Sequence, residues 1–316
     1  MNDENQPQTN NPYVNYKHLV ENFIAELEQG VQPWKQSWKL SNGMPRSAVS
    51  GGEYSGINIL SLMSHKFQSN QWITAKQIEQ LGGHIKDKER NNSRDIFFLK
   101  NIVKTTTKKD EESDEETEVE EKHTVLKNYK VYNIDQVEGI NFEKEHMPLS
   151  KNEKIDEVEK MVAATKAQMY RGSPAYSPKD DAIFMPHIDE FVDKENYYST
   201  LFHELSHWSG HETRLNRANH IKKYDDVYAF EELIAELSSA FLCAKHNISM
   251  ENTQHTEYMN HWVKMLKEKP YVLFSVSTHA SKSAAYIFSH LANKNTQEQK
   301  EDKKMARFKH HAPNVA

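Results

Sequence analysis

The chain has 316 residues, 37% of them apolar and 27% charged, with a formal net charge of -6. That length allows two domains of ordinary size, and fourteen Tyr, thirteen Phe and five Trp exclude a wholly disordered chain. No run approaches the roughly 18 apolar residues of a membrane span, the start "MNDENQPQTNNPY" has neither a basic region nor an apolar core, and a lone cysteine, Cys243, excludes an internal disulfide. These features place the protein in the cytoplasm, without a membrane partner. Cys243 lies in the apolar run "AFLCA" and reads as a small buried hydrophobe.

In chain order, residues 1–12 are polar and are expected to be unstructured. "YKHLVENFIAELEQG" spaces Leu19, Phe23, Ile24 and Leu27 as a helical stripe that Gly30 ends. Pro33 prevents "VQPWKQSWK" from continuing that helix. "SGGEYSGINILSLMSHKF" joins a Gly-rich turn to an apolar helical start, and "WITAKQIEQLGGHI" has Thr74 as N-cap and Gly82-Gly83 as its end.

"RDIFFLKNIVKTTTK" and "EKHTVLKNYKVYNIDQVEG" are β-like and flank residues 110–121, "DEESDEETEVEE", which hold nine acids and no base. The expectation is a hairpin whose tip carries an acidic insertion, either a solvated loop or a mimic of nucleic-acid charge. Before it, Met1 to Lys109 carries fourteen Lys/Arg against ten Asp/Glu, a balance of 14 - 10 = +4. The global charge therefore hides a mildly basic first third.

Residues 139–150 read as a linker into a helix over "IDEVEKMVAATKAQM". "PAYSPKDDAIFMP" alternates between prolines and predicts an edge strand at Ala182 to Met185, able to hold an extended substrate by strand addition. The remainder to about Leu291 is mostly helical, and 296–316 is a polar tail. The resulting division is 13–138 for a first domain and 151–295 for a second.

His203, Glu204 and His207 form H-E-x-x-H within "LFHELSHWSGHETRL". On a helix, residues four apart share a face, so both imidazoles can ligate one cation while Glu204 stands beside the open position as general base. A metzincin would need a third histidine where Thr213 stands, and His211 follows Gly210 too closely to return to the ion. Gly210 reads as a helix stop.

The third ligand is therefore sought on "YAFEELIAELSSAFLCAKH". Glu232 and Glu236 are four apart on one face, with Glu232 assigned as ligand and Glu236 as the group that orients a ligand histidine; Glu231 is the alternative ligand. Two imidazoles, a carboxylate and an open position describe a catalytic Zn2+ site, with Mn2+ or another divalent ion as alternatives. The implied chemistry is attack of a metal-activated water on a peptide carbonyl, with Tyr224, Tyr228 and His279 as candidates to stabilise the oxyanion.

"AYSPKDDAIFMP", "YYSTLFHELSHWSGHETRLNR", "YAFEELIAELSSAFL" and "VLFSVSTHASKSAAYI", in this order, resemble the metallopeptidase domain of ArdC-type antirestriction proteins. Upstream, "GVQPWKQSWK", "YSGINILSL", "WITAKQIEQLGG" and "VYNIDQVEG" are similar to that family's N-terminal single-stranded-DNA-binding domain. The resemblance implies an α+β protein, with a mixed N-terminal DNA-binding domain carrying a β-hairpin and a mainly helical zincin-like domain with a small sheet. It implies a plasmid or mobile-element protein that binds single-stranded DNA and counters host restriction. A protease localised by DNA on DNA-associated or restriction proteins is one alternative, and a DNA-coating protein with a vestigial metal site is another.

Single strands are held by cations interleaved with aromatic faces. On that basis Trp34, Lys35, Trp38 and Lys39 are the first candidates, extended by Tyr54, Trp72, Lys76, Lys86, Lys88, Arg90, Arg94 and Lys100.

Overall fold

The computed structural model describes residues 11–36, 43–63, 67–109, 116–142, 151–224, 226–250 and 258–310; at 35–36, 106–109, 116–119, 151–152 and 292–310 it describes the backbone alone. Of the sequence expectations, Trp38, Lys39, residues 1–10, 110–115 and 143–150 lie outside the described residues, as does the side chain of Lys35.

The architecture is α+β. Helix α1 (Pro12–Glu28) starts where the Asn11 side chain accepts from the Tyr13 N–H and Pro12 occupies the first turn. It buries Tyr16, Val20, Phe23, Ile24 and Leu27, and Gly30 turns the chain at φ +75°. The one-turn α2 (Pro33–Gln36) opens on its proline. Strand β1 (Arg46–Ser47), helix α3 (Ile57–Met63), strand β2 (Gln71–Ile73), helix α4 (Ala75–Gln80) and strand β3 (His84–Ile85) follow. Thr74 and Gln77 close a reciprocal capping box at the start of α4.

Two long strands, β4 (Arg94–Lys109) and β5 (Glu116–Asn133), pair antiparallel over the whole of β4 and as far as Val131 of β5. The acidic run is thus not all tip: Glu116 to Glu121 belongs to β5, opposite Lys104 to Lys109. The hairpin completes a sheet in the order β1-β2-β5-β4, and β6 (Val137–Glu138) pairs with β3.

Helix α5 (Lys151–Thr165) ends earlier than its sequence pattern predicts, because Gln168–Arg171 forms strand β7. With β8 (Ala175–Ser177) and β9 (Ala182–Met185) it makes a sheet in the order β7-β9-β8. The strand expected at an edge, Ala182 to Met185, is central. Pairing on both sides goes with the burial of Ala182, Ile183 and Met185, and the open edges belong to β7 and β8.

Helices α6 (Lys194–Ser209), α7 (Arg217–Ile221), α8 (Val227–His246), α9 (Met259–Glu268) and α10 (Val272–His310) build the rest. The segment expected as a polar tail from residue 296 continues α10 to His310. Helix α8 is buried along nearly its whole circumference, with Phe230, Leu233, Ile234, Leu237 and Phe241 at or near zero exposure. Ser239 donates to the Ser199 carbonyl at 2.8 Å, so small residues bring α6 and α8 close together.

One large core joins both halves of the sequence. Trp34 lies between Phe23 and Trp262, each ring centroid 5.6 Å away. The Tyr16 hydroxyl donates to the Pro270 carbonyl at 2.8 Å, and its ring meets Phe97 of β4 edge-on at 5.8 Å.

Candidate metal centre

Helix α6 presents His203 and His207 one turn apart, and α8 presents Glu232 opposite them. The two Nε2 atoms are 3.1 Å apart, and they lie 3.5 and 3.6 Å from the two oxygens of Glu232. A tetrahedral ion with bonds of about 2.1 Å places its ligand atoms about 3.4 Å apart. His203, His207 and Glu232 therefore fit a divalent ion in size and in donor type. Glu204, the next residue on α6, is buried too, and its charge acts on His203.

Behind the donors stands a second layer. His203 Nδ1 is 3.4 Å from Glu236 Oε1, and Trp34 donates its indole N–H to Glu236 Oε2 at 3.3 Å. His207 Nδ1 is 3.2 Å from Glu231 Oε1. Both imidazoles thus show Nε2 to the Glu232 carboxylate and Nδ1 to another carboxylate, which fixes tautomer and ring plane. Glu231, the alternative ligand in the sequence reading, faces away from the donor triangle and supports His207.

Arg217 holds Glu231 in turn. Its Nε donates to Glu231 Oε2 at 2.7 Å, Nη2 also binds Glu231 Oε1, and Nη2 reaches the Ser206 carbonyl at 2.7 Å. A Cβ on Gly210 would stand 2.6 Å from Arg217 Nη2. Gly210 has φ -78°, so no left-handed turn requires it. Its role is to leave room for the guanidinium, beyond the helix stop expected from sequence.

The electrostatics follow from this burial. Desolvation pulls the His203 imidazole down, but Glu232 and Glu236 outweigh it and hold its proton up to about 10. Desolvation likewise opposes charge on Glu231, yet Arg217 and then His207 pull that carboxyl down to about 2. A divalent cation held between these groups would displace the His203 proton.

His211 lies outside the donor group, its Nδ1 2.9 Å from Thr213 Oγ1. Of the oxyanion candidates, Tyr224 stacks on Phe230 and donates to Ser275, and His279 packs against Phe230 and His220. Both are packing groups behind α8. Tyr228 stands one turn before Glu232, exposed, with its hydroxyl 3.0 Å from that of Tyr258. The Tyr258 bond, burial and the Glu232 charge all raise its proton affinity, so it stays a donor.

The nucleic-acid candidates fare differently. Trp34 and Trp72 are each 2% exposed, so neither is a stacking platform. Trp34 belongs to the main core, and Trp72 packs with Leu62, Ile96 and Val131. The basic residues divide over the hairpin sheet. Helix α4, carrying the exposed Lys76, packs on the Ile73 and Tyr132 face, and the Tyr132 hydroxyl donates to the Arg90 carbonyl on that side. Lys86 donates to the Asp135 carbonyl, Lys88 is exposed nearby, and Arg90 pairs with Asp87. Tyr54, Arg94 and Lys100 belong to the opposite face. Sequence reasoning missed Phe98, Lys127 and Tyr129 on that second face; the two-residue alternation Ile96–Phe98–Lys100 and Lys127–Tyr129–Val131 is the signal that marks them.

A zincin-like metallopeptidase family model matches residues 156–279, and the N-terminal domain of anti-restriction factor ArdC matches residues 14–132. Fold and donor set thus define a chain with a zincin-like metallopeptidase domain behind an ArdC-type N-terminal domain. The antirestriction ArdC protein of the R388 plasmid, solved metal-free and Mn(II)-bound, superposes with TM-scores of 0.68 and 0.66 at 31% identity, covering 88% of this chain and 98% of that one. The chain belongs to the ArdC antirestriction family. Two Escherichia coli proteins named DNA primase TraC are 29% and 26% identical over 90% and 86% of the chain, which spans only 28% and 20% of their lengths. An uncharacterized protein, y4eC, of Sinorhizobium fredii (strain NBRC 101917 / NGR234) is 29% identical over 95% of its length.

Proposed function

We propose that the chain is an antirestriction protein of a plasmid or mobile element, acting in the cytoplasm, which binds single-stranded DNA and carries a divalent-metal-dependent peptidase centre. The observation that carries the reading is the convergence of His203, His207 and Glu232 at the edge lengths of a metal tetrahedron. His203, His207 and Glu232 hold the ion, Zn2+ in this reading; the Mn(II)-bound relative supports Mn2+ as the alternative. When bound, the ion supplies Lewis acidity to water and to a substrate carbonyl.

Glu204 takes a proton from the attacking water and returns it to the leaving amine. Glu236 and Glu231 hold the imidazoles in the tautomer that keeps Nε2 free for the ion. Tyr228 offers its O–H to the developing oxyanion. An extended protein segment, drawn from DNA-associated or restriction proteins, would add to the open β8 edge rather than to β9.

Glu204→Gln keeps the side-chain volume and all three ligands. The expected result is unchanged ion binding, a loss of peptide cleavage of a hundredfold or more, and lost protection of an incoming plasmid against restriction. Protection that survives in full would overturn the peptidase role and leave DNA coating as the activity.

A further inference from the structure

We propose that one face of the β4–β5 hairpin is the platform that takes the single strand, with Phe98 and Tyr129 stacking bases and Lys100, Lys104 and Lys127 holding phosphates. The proposal rests on the strand-binding reading above and names its surface.

The register defines the face. Directly opposed residues of an antiparallel pair project to the same side, so Arg94/Val131, Ile96/Tyr129, Phe98/Lys127, Lys100/Val125, Ile102/His123 and Lys104/Glu121 line one side together. Its inner end is rooted: Ile96 and Val131 are buried with Leu62 and Trp72, and Tyr54 packs against that cluster. Beyond the root the aromatic rings emerge. Phe98 and Tyr129 are each 41% exposed, with centroids 6.1 Å apart.

Charge selects a polyanion. Over these six pairs the face carries four bases, Arg94, Lys100, Lys104 and Lys127, against one acid, Glu121, on a chain whose net charge is -6. Over the same stretch the other side of the hairpin pairs Asp95 with Lys130 and holds Lys122 near Glu120, two acids against two bases. Its inner end is also covered, because Phe97 and Leu126 join the main core under α1.

Aromatic faces select unpaired bases. In a duplex the base faces are stacked on one another, and side chains reach only their edges; in a single strand the faces are free to stack on a ring. Same-face residues of a strand repeat about every 7 Å, which sets rings and ammonium groups in alternation along the arm. A single exposed aromatic would carry no such meaning.

The test uses the full chain, because the main core spans both halves, and a fluorescent oligothymidylate in anisotropy titrations at several salt concentrations. Wild type is expected to bind the strand at least tenfold more tightly than a duplex of the same length. Phe98→Leu with Tyr129→Leu keeps apolar bulk but removes both π-faces, and should weaken strand binding tenfold or more with an unchanged salt slope. Lys100→Gln, Lys104→Gln and Lys127→Gln together should flatten the slope of log K against log salt by about 2. Phe98→Tyr with Tyr129→Phe should bind as wild type does, as should Leu99→Ala on the opposite side. Leu variants within twofold of wild type, or a duplex bound as tightly as the strand, would overturn the platform while strand binding stands. A wild-type chain that binds no strand would overturn the broader reading itself.

Discussion

Arg217 is 1% exposed and donates to three groups, Glu231, the Ser206 carbonyl and the Ser209 hydroxyl, in the space that Gly210 leaves. Gly210→Ala should displace its guanidinium, costing about 1–3 kcal/mol of stability and loosening the ion; a lowered thermal midpoint with weaker chelator-competition binding is the expected pair of readings. Glu231→Gln leaves Arg217 charged and unpaired, for a loss of about 3 kcal/mol. Its pH signature has a definite sign. The folded carboxyl sits at about 2 against 4.5 ordinarily, so its contribution is complete above pH 4.5 and is lost as pH falls toward 2. Denaturation midpoints followed across that window should fall less steeply in Glu231→Gln than in wild type. Much of this site was legible in the sequence: H-E-x-x-H and the i, i+4 glutamates name the donors and Glu236 because helical spacing is local. The Arg217 support was not, because α7 follows a left-handed Asn216 (φ 46°) and shares no period with α6 or α8.

At the level of elements, Trp34 illustrates what spacing leaves undecided. Tryptophan beside lysine suits a stacking platform, yet α2 turns this ring inward, where its N–H reaches Glu236. Trp34→Phe keeps an aromatic ring in the core and removes the donor; ion affinity should fall about tenfold, as read by competition with a chelator, and the thermal midpoint should fall with it. The hairpin is the other instructive element. Its existence follows from alternation flanking a charged run, whereas its length does not, because Glu116 to Glu121 reads as loop by composition and pairs as strand. Asp110, Glu111, Glu112, Asp114 and Glu115 lie in sequence between Lys109 and Glu116, and replacing them with their amides removes five negative charges from that segment. Strand binding at low salt should strengthen by on the order of threefold and converge with wild type at high salt; unchanged affinity at low salt would mark the acids as simply solvated.

For the whole molecule, the shared core has thermodynamic content. Tyr16 meets Phe97 on one side, and on the other its hydroxyl accepts from the Phe274 N–H at 3.1 Å, so α1 is held by both halves at once. Unfolding followed by tryptophan fluorescence and by far-ultraviolet dichroism should therefore give coincident transitions, and a saturating divalent ion should raise both midpoints together. Separate transitions would show two independent folding units. No helix among the described residues is long and apolar enough to cross a membrane.

The bond from Trp34 to Glu236 also bears on descent. An exchange that replaced the N-terminal third with an unrelated strand-binding module would strip the donor from a buried carboxylate behind His203. The two halves are therefore expected to work only as a matched pair, and the matches to the longer TraC proteins, over 90% and 86% of this chain, include parts of both.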